Sequence, residues 1–161
     1  VQQELPDANF FFATKTGMGL HCEDTFSEYK RVSGGVQGID LYDGDQVVAV
    51  TQIDKEKEYD LVVATEFGTF KRVYLSTVNK LPRNRKGVKI ADVGDDKLLL
   101  GEPVPKGDKI YLLIEDTDGN VMYADSSQFV VESRTTKGKP VAGLGIFRAK
   151  GVCSFRLNDK K

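Results

Sequence analysis

The fold of this chain is decided by one stretch, residues 59–93, with the sequence YDLVVATEFGTFKRVYLSTVNKLPRNRKGVKIADV. The stretch begins with two apolar segments around Gly68, which predict a β-hairpin, and it ends on a short apolar segment. Between Phe67 and Ala91 it contains basic residues and no acidic one. These basic residues are Lys71, Arg72, Lys80, Arg83, Arg85, Lys86 and Lys89. The unit is therefore a hairpin followed by a strongly basic segment.

Three hairpins of this kind occur along the chain. They are FFFATKTGMGLHC (10–22), LVVATEFGTFKRV (61–73) and YLLIEDTDGNVMYA (111–124). Their turn glycines, Gly17, Gly68 and Gly119, follow one another at intervals of 51 residues. Glycine suits such turns because hairpin loops often need a residue with positive φ. A pattern that recurs at a fixed interval indicates a repeated structural unit.

The repeat continues beyond the turn. An arginine follows each glycine after 14 or 15 residues, and a β-branched residue follows after 22 residues. These positions are Arg31, Arg83 and Arg134, then Ile39, Ile90 and Val141. In the first two copies Asp45 and Asp96 follow after 28 residues, and each precedes an apolar strand. The third copy departs from the pattern, because Phe147 stands in the place of that aspartate.

The sequence predicts β-structure almost throughout, because Val, Ile, Tyr, Phe and Thr occur in short runs between Gly, Asp and Asn. The predicted strands are 10–14, 18–22, 36–41, 46–53, 61–65, 69–74, 88–93, 98–104, 109–115, 120–124, 141–147 and 152–157, with short helical turns at 76–78 and 126–129. About four strands per repeat is the content of a propeller blade, and a blade must pack against its neighbours to bury both faces. We therefore predict an all-β chain of about three four-stranded blades. Their approximate ranges are 10–58, 59–107 and 108–157, after a linker remnant at 1–9.

The composition is that of an ordinary globular protein, with 161 residues of which 40% are hydrophobic and 29% charged. No apolar run is long enough for a transmembrane helix, the two cysteines form no disulfide framework or metal motif, and we expect a cytoplasmic location. The start at Val1 rather than Met suggests a segment of a longer protein. The net charge of −1 conceals alternating blocks, in which acids dominate 40–60 and 92–125 whereas bases alone occupy 67–91 and 133–158. A neutral total can therefore hide faces of opposite sign.

Each full copy has the same order of features: an apolar strand, an Ala-Thr-x-x-Gly turn, a second strand, an arginine, a Gly-Val pair, an apolar strand, and an aspartate before a further strand. This order is found in ATKTGMGLHCEDTFSEYKRVSGGVQGIDLYDGDQVVAV (13–50) and ATEFGTFKRVYLSTVNKLPRNRKGVKIADV (64–93). The third copy, DTDGNVMYADSSQFVVESRTTKGKPVAGLGI (116–146), follows it more loosely. The pattern resembles the C-terminal domain of the A subunit of DNA gyrase and of its paralogue, topoisomerase IV.

The resemblance implies a β-pinwheel, which is a propeller-like disc of four-stranded blades that lend strands to one another and bend DNA around a basic outer rim. Gyrase relatives also have a Gln-Arg-Arg-Gly-Gly-Lys-Gly box that is needed for wrapping. Residues 134–140 (RTTKGKP) and 31–38 (RVSGGVQG) are partial echoes of that box. Gyrase and topoisomerase IV therefore both remain open.

The resemblance also implies a role within a larger enzyme. That enzyme is an ATP-dependent bacterial type IIA topoisomerase, whose DNA-cleaving tyrosine lies in another domain. The whole enzyme would need ATP and Mg, whereas we expect no cofactor in this segment. The implied partners are duplex DNA, the ATPase B subunit, and the remainder of the A subunit. Open blade edges would also favour self-association.

A basic rim binds duplex DNA because neutralising phosphates releases counterions, which requires no reading of bases. We predict DNA contacts from the hairpins and from the segment after each of them. The predicted residues are Lys15, Lys30, Arg31, Lys71, Arg72, Arg83, Arg85, Lys86, Lys89, Arg134, Lys137 and Lys139. Bending a site of 20–30 base pairs costs on the order of 1–6 kcal/mol, which several phosphate contacts can offset.

Simpler interpretations of the same residues stay open. A single charged cluster is usually a solvated surface. The alternative function is a propeller-like protein-interaction module with an acidic or basic protein partner, and the acidic blocks would suit a basic one. His21 beside Cys22 is at most half a metal site, and a strand histidine is the simpler reading. The segment 116–120 (DTDGN) lacks the ligand spacing of a calcium loop and reads as a hairpin turn. No nucleophile, base or metal cluster is found, so we predict no catalysis by this segment alone.

Overall fold

The computed structural model describes residues 9–23, 39–82, 85–94, 96–141 and 148–155. Within these ranges the chain forms eleven β-strands and two 3₁₀ turns, which confirms the predicted all-β class. The strands are β1 (Asn9–Thr14), β2 (Met18–Cys22), β3 (Val47–Ile53), β4 (Tyr59–Thr65), β5 (Phe70–Tyr74), β6 (Lys80–Leu81), β7 (Val88–Lys89), β8 (Leu98–Pro105), β9 (Tyr111–Asp116), β10 (Val121–Asp125) and β11 (Ala149–Phe155). The 3₁₀ turns span Leu75–Thr77 and Ser126–Gln128.

Each predicted hairpin opens one sheet. The first sheet has the order β3-β1-β2-β6, with β7 also paired to β2, the second has β5-β4-β8, and the third has β10-β9-β11. One backbone hydrogen bond ties each hairpin turn to the segment before the third strand of its sheet. The bonds run from Lys15 N–H to Gln46 O, from Glu66 N–H to Lys97 O and from Thr117 N–H to Arg148 O, at 2.8, 2.9 and 3.1 Å. The 51-residue repeat of the sequence is therefore also a repeat of the structure.

The edge of each of the first two hairpins is completed by chain from the following copy. The borrowed segment makes one antiparallel and one parallel pairing, and both recur 51 residues later. The pairs are Gly19 with Val88 and His21 with Lys80 in the first sheet, and Phe70 with Lys139 and Arg72 with Val131 in the second. The exchange of strands between blades, which the resemblance implies, is present between these copies.

A glycine brings each borrowed segment against the hairpin that receives it. Gly87 and Gly138 have φ values of 80° and 96°, a region that favours glycine. A Cβ atom on Gly87 would lie 2.1 Å from the carbonyl oxygen of Gly19, and one on Gly138 would lie 2.9 Å from that of Phe70. Neither position therefore has room for a side chain.

A buried aspartate holds the hairpin turn in the first two copies. Asp45 accepts hydrogen bonds from the N–H and the hydroxyl of Thr16 at 3.0 and 2.7 Å, and Asp96 accepts one from the N–H of Phe67 at 2.9 Å. Each also accepts from the N–H of the residue that follows it, at 2.8 and 2.7 Å. Burial alone would raise the pKa of Asp45, but the hydrogen bonds, those of Thr16 foremost, together lower it.

The third copy holds its turn locally. Asp116 stands where Thr14 and Thr65 stand in the earlier hairpins, and it accepts from the N–H groups of Asp118 and Asn120 at 2.9 and 2.8 Å. The first of these is the turn N–H that the distant aspartate binds in the other copies. The loss of that aspartate from the third copy is therefore compensated within the hairpin itself.

The second copy lies at the centre of the stack, because β4 is buried on both faces. Leu61 and Val63 belong to the core shared with the first sheet, whereas Val62 and Ala64 belong to the core shared with the third. This arrangement explains why the strand reads as a continuous apolar run rather than an alternating one. Burying each of the larger side chains contributes on the order of 1.5–3 kcal/mol.

The predicted strand at 88–93 ends early, at Lys89. The N–H groups of Ile90 and Ala91 both donate to the carbonyl oxygen of Gly17, at 2.8 and 3.3 Å. These residues are therefore held by the turn of the first hairpin instead of by a strand ladder, and the prediction of a strand to residue 93 is wrong.

The predicted strand at 36–41 is also absent where it can be compared, because Ile39 forms only an isolated bridge with Arg85 and no strand covers 39–41. Its first residues, and the predicted strand at 141–147 apart from Val141, lie outside the described residues. The other predicted strands agree with the structure to within three residues at each described end, and the predicted end at residue 157 lies outside the described residues.

Candidate nucleic-acid interface

The basic segments of the second and third copies lie side by side. Arg134 donates from Nη1 to the carbonyl oxygen of Lys89 at 3.1 Å. Next to this contact, the N–H of Asp92 donates to the carbonyl oxygen of Thr136 at 3.0 Å. The segments 85–92 and 131–139 therefore form one surface, which we call the basic patch. Its cationic side chains among the described residues are Arg85, Lys86, Lys89, Arg134, Lys137 and Lys139.

The third-copy part of the basic patch has a fixed backbone. Phe70 and Lys139 exchange two backbone hydrogen bonds of 2.8 and 3.0 Å. The hydroxyl of Thr69 donates to the carbonyl oxygen of Lys137 at 3.1 Å. The side chains of Lys137 and Lys139 are exposed and extend from this backbone. Such preorganisation lowers the entropic cost of binding a ligand.

The turn of the second hairpin adds an aromatic ring beside the patch. Phe67 is 37% exposed, and the cationic groups of Lys137 and Arg148 lie 5.6 and 4.5 Å from its ring centre. Arg148 Nη2 also lies 3.6 Å from Glu66 Oε1. The sequence prediction omits Arg148, although its place 51 residues after Lys97, in the basic block 133–158, was a usable signal.

The second-copy part of the basic patch is paired with acidic side chains. Lys86 Nζ lies 3.0 Å from Asp40 Oδ2 and 4.5 Å from the ring centre of Tyr42. Lys89 Nζ lies 3.9 Å from Asp92 Oδ1. Exposed ion pairs of this kind contribute only about 0–1 kcal/mol, so a phosphate can compete with these carboxylates.

Lys71 does not belong to the basic patch. Its side chain is fully buried, and its Nζ donates to the carbonyl oxygens of Ser133 and Thr136 at 2.8 and 2.6 Å. Burial lowers the pKa of Lys71 to about 8, against the opposing effect of the Glu132 and Asp92 carboxylates. The predicted placement of Lys71 on a DNA-facing rim is therefore corrected, because a phosphate cannot reach this ammonium in the folded chain.

The remaining predicted contacts differ in their freedom to bind. Arg72 Nε donates to the carbonyl oxygen of Phe129 at 3.0 Å, and its Nη1 lies 3.7 Å from Asp60 Oδ2, so this guanidinium mainly ties the second hairpin to the third copy. Lys15 is half-buried in the first hairpin turn, and Arg85 is exposed. Three predicted residues, Lys30, Arg31 and Arg83, lie outside the described residues.

A cavity of about 360 Å³ lies between the first and second sheets and shares no residue with the basic patch. His21 lines it and is 6% exposed; burial, and then the charge of Lys80, lower the pKa of His21 to about 4. Across the described part of the chain, no three His, Cys, Asp or Glu side chains are grouped so that they could hold a metal ion. Among the same residues, no helix has the length and hydrophobicity that a bilayer crossing requires.

Comparison with protein families gives a match to the family described as "DNA gyrase C-terminal domain, beta-propeller" over residues 8–54 and 59–102. These ranges are more than half of the chain and contain most of the first copy and most of the second. Among curated proteins, the chain is 38% identical over 71 residues to the A subunit of DNA gyrase from Staphylococcus epidermidis, in two strains. That match covers 44% of this chain and 8% of the relative, so the chain spans a small part of that protein's length.

Solved structures give the same fold. The C-terminal domain of DNA topoisomerase IV superposes with a TM-score of 0.75 at 23% identity, over 92% of this chain and 47% of that one. The C-terminal domain of E. coli ParC superposes with a TM-score of 0.66 at 21% identity, over 97% of this chain and 63% of that one. At these identities the superpositions show a shared fold and nothing further. The family match goes further, and on it the chain belongs to the DNA gyrase C-terminal domain family.

Proposed function

We propose that this chain binds duplex DNA without sequence preference and bends it, within the A subunit of a bacterial type IIA topoisomerase. The observation that carries the proposal is the contact of Arg134 with the carbonyl oxygen of Lys89, which joins the basic segments of two successive copies. DNA that follows this surface meets cations from two blades. Membership of the gyrase C-terminal domain family supports the same function.

Binding rests on the phosphate backbone in this proposal. Each phosphate that a lysine or arginine neutralises releases counterions, and the logarithm of the binding constant then falls with the logarithm of the salt concentration, by about 0.9 per phosphate for duplex DNA. Contacts to phosphates hold a protein on DNA but contain no sequence information. We therefore expect a steep salt dependence and similar affinities for duplexes of different sequence.

Bending follows from the spread of the charges over two sheets. A straight duplex that touches one blade gains more contacts if it curves towards the next. The cost of bending 20–30 base pairs is on the order of 1–6 kcal/mol, which the added contacts can offset. The basic segments are bonded to the edges of β2 and β5, so the protein keeps its shape while the DNA deforms.

Within the whole topoisomerase, we propose that this chain is a non-catalytic part. Its partners would be the ATPase B subunit, together with the rest of the A subunit, in the cytoplasm at the nucleoid. The tyrosine that cleaves DNA and the need for ATP and Mg would belong to those other parts. Assembly with them should distinguish the two enzymes, because negative supercoiling of relaxed plasmid would indicate gyrase and its absence topoisomerase IV.

The direct test is fluorescence anisotropy with a random duplex of about 30 base pairs, titrated between about 50 and 200 mM salt. A triple alanine variant at Arg134, Lys137 and Lys139 should reduce the steepness of the salt dependence by about 2–3. A control triple alanine variant at Lys55, Lys57 and Lys150 removes the same charge from exposed positions outside the patch and should bind as the wild type does. Equal weakening by both variants would refute the proposal. Equal affinity for a minicircle and for a linear duplex of the same sequence would refute bending.

The edge of the third sheet favours a second candidate function, protein–protein interaction. No described segment pairs with the outer side of β10, whereas the equivalent sides of β2 and β5 receive borrowed segments. Val121 and Tyr123 on this strand are 55% and 67% exposed, while Phe70, the counterpart of Val121, is 1% exposed. An open strand edge with apolar side chains can pair with an extended segment of another polypeptide. Unaltered DNA affinity in the patch variant, together with association that depends on protein concentration, would favour this function.

A further inference from the structure

We infer that Lys71 is a positioning residue, whose buried ammonium fixes the third-copy segment that presents Arg134, Lys137 and Lys139. The anchor itself consists of contacts within the chain. Its effect on DNA binding rests on the proposed function and deepens it, because Lys71 would hold half of the basic patch in place.

The repeat shows that a lysine is not needed here for folding of the hairpin. The residues 51 positions before and after Lys71 are Leu20 and Met122, and Leu20 is fully buried. An apolar side chain therefore fits this point of the hairpin in the other two copies. An ammonium is costly to remove from water unless it is fully hydrogen-bonded, so its presence in the second copy calls for a specific partner.

That partner is the turn at 133–136. Lys71 Nζ donates to the carbonyl oxygen of Ser133 at 2.8 Å, to the carbonyl oxygen of Thr136 at 2.6 Å and to the hydroxyl of Thr136 at 3.3 Å. These three acceptors match the three N–H bonds of an ammonium group. The two carbonyl groups lie three residues apart, so the ammonium holds the turn closed from its inner side.

Carboxylates from two copies face the same point. Glu132 belongs to the anchored segment and Asp92 to the second-copy part of the patch, and both act on Lys71 through their charge. The hydroxyl of Thr136 donates to Glu132 Oε1 at 2.5 Å, while Glu132 Oε2 is buried without a hydrogen-bond partner among the described residues. Removing the ammonium would leave a buried carboxylate without its compensating charge, and that loss destabilises the docked segment.

The anchor lies next to the cations of the patch. Arg134 stands between the two anchored carbonyl groups, and Lys137 and Lys139 follow within three residues of the second. Release of the turn would therefore free the backbone at Arg134, and would leave Lys137 and Lys139 held only by their bonds to Thr69 and Phe70. A released segment loses preorganisation, and its cations would no longer contact phosphates together.

The test compares Lys71→Met, which installs the residue type of the third copy, with Lys150→Met, which removes one charge from a side chain that is 68% exposed. In Lys71→Met, amide exchange of the Glu132 and Lys139 N–H groups, which bond to Arg72 and Phe70, should accelerate by about tenfold or more. DNA affinity should fall by about tenfold, with a less steep salt dependence. Lys150→Met should change neither quantity.

Lys71→Arg separates positioning from space filling. Arginine keeps a buried cation with several donors, so it should restore much of the amide protection that is lost with methionine. If Lys71 only fills space, methionine should protect these amides as well as lysine does. If Lys71→Met does not fold, Thr136→Val tests the anchor instead. This variant removes the hydroxyl acceptor and should accelerate exchange of the same amides to a smaller extent.

The outcomes separate the inference from the proposed function. Wild-type protein that binds no DNA refutes the proposed function, and the exchange rates then still decide whether Lys71 anchors the segment. Unchanged exchange of the Lys139 amide in Lys71→Met overturns the inference. Faster exchange with wild-type DNA affinity also overturns it, because the patch would then need no anchor.

Discussion

Replacement of Asp45 by alanine removes the acceptor that holds the first hairpin turn. The carboxylate accepts from the Thr16 N–H at 3.0 Å, the Thr16 hydroxyl at 2.7 Å and the Gln46 N–H at 2.8 Å. Asp45 is 8% exposed, whereas Thr16 and Gln46 are exposed, so water can replace part of this hydrogen bonding once the carboxylate is gone. A hydrogen bond to a charged group contributes about 1.5–3 kcal/mol, and since water compensates for part of the loss we expect the free energy of unfolding to fall by about 1–3 kcal/mol.

Urea denaturation followed by circular dichroism measures this loss. Asp43→Ala is the matched control, because Asp43 is an exposed acid two residues away and its removal should cost less than about 0.5 kcal/mol. Asp45→Asn keeps one acceptor oxygen, so its stability should lie between those of the wild type and Asp45→Ala. A difference below about 0.5 kcal/mol between the two alanine variants would show that the aspartate does not hold the turn.

The same carboxylate sets a pH dependence. Since folding lowers the pKa of Asp45 below its usual value of 3.8, its contribution is complete above that pH. The contribution is lost as the pH falls through the lower pKa of the folded chain. The stabilities of the wild type and of Asp45→Asn should therefore converge in acid. A gap that stays constant down to the acid transition would contradict this reasoning.

Three further predictions concern other parts of the chain. As the pH falls from 6.5 to about 4, the free energy of unfolding should drop by up to about 3 kcal/mol, because His21, the single histidine, is protonated first in the unfolded chain. Urea titrations at each pH measure this free energy, and a value that does not change with pH would contradict the prediction. Gly138→Ala should cost about 1–3 kcal/mol in thermal melts, and more than Gly107→Ala, which shares the positive φ but has no atom within 4 Å of the added Cβ. Equal losses would mean that the close approach at Gly138 is unimportant. Tyr123→Lys should abolish association at the β10 edge in sedimentation velocity, because a lysine at an open edge opposes strand pairing; unchanged association would exclude that edge.

The hairpins and their period were predictable because their signals are local. Gly17, Gly68 and Gly119 all adopt positive φ, at 92°, 78° and 89°, as the turn chemistry requires. The register also identified Asp45 and Asp96 as counterparts, although it did not reveal that they bind the turn 29 residues before them. Patterns of residue type give the strands, whereas partners from distant chain have no local signal.

Lys71 marks the limit of such reasoning at the candidate site. In the sequence it looks like Arg72 beside it, a basic residue on a hairpin strand. Its acceptors lie 62 and 65 residues further along the chain, on a segment from the next copy. The early end of β7 has the same origin, since the oxygen that replaces the strand ladder belongs to Gly17. Tertiary contacts between copies override the local pattern at both places.

The borrowed strands also give the chain a direction during synthesis. The first sheet receives its edge from β6 and β7, and the second from residues around Val131 and Lys139, so the lender always follows the borrower. A ribosome that makes about 5–20 residues per second needs roughly 3–14 seconds to proceed from Gly19 to its partner Val88. Throughout that interval the edge of the nascent β2 is unpaired. During this time the edge can mispair or bind a chaperone. In the first two sheets, therefore, a copy can complete its edge only after the following copy has been made.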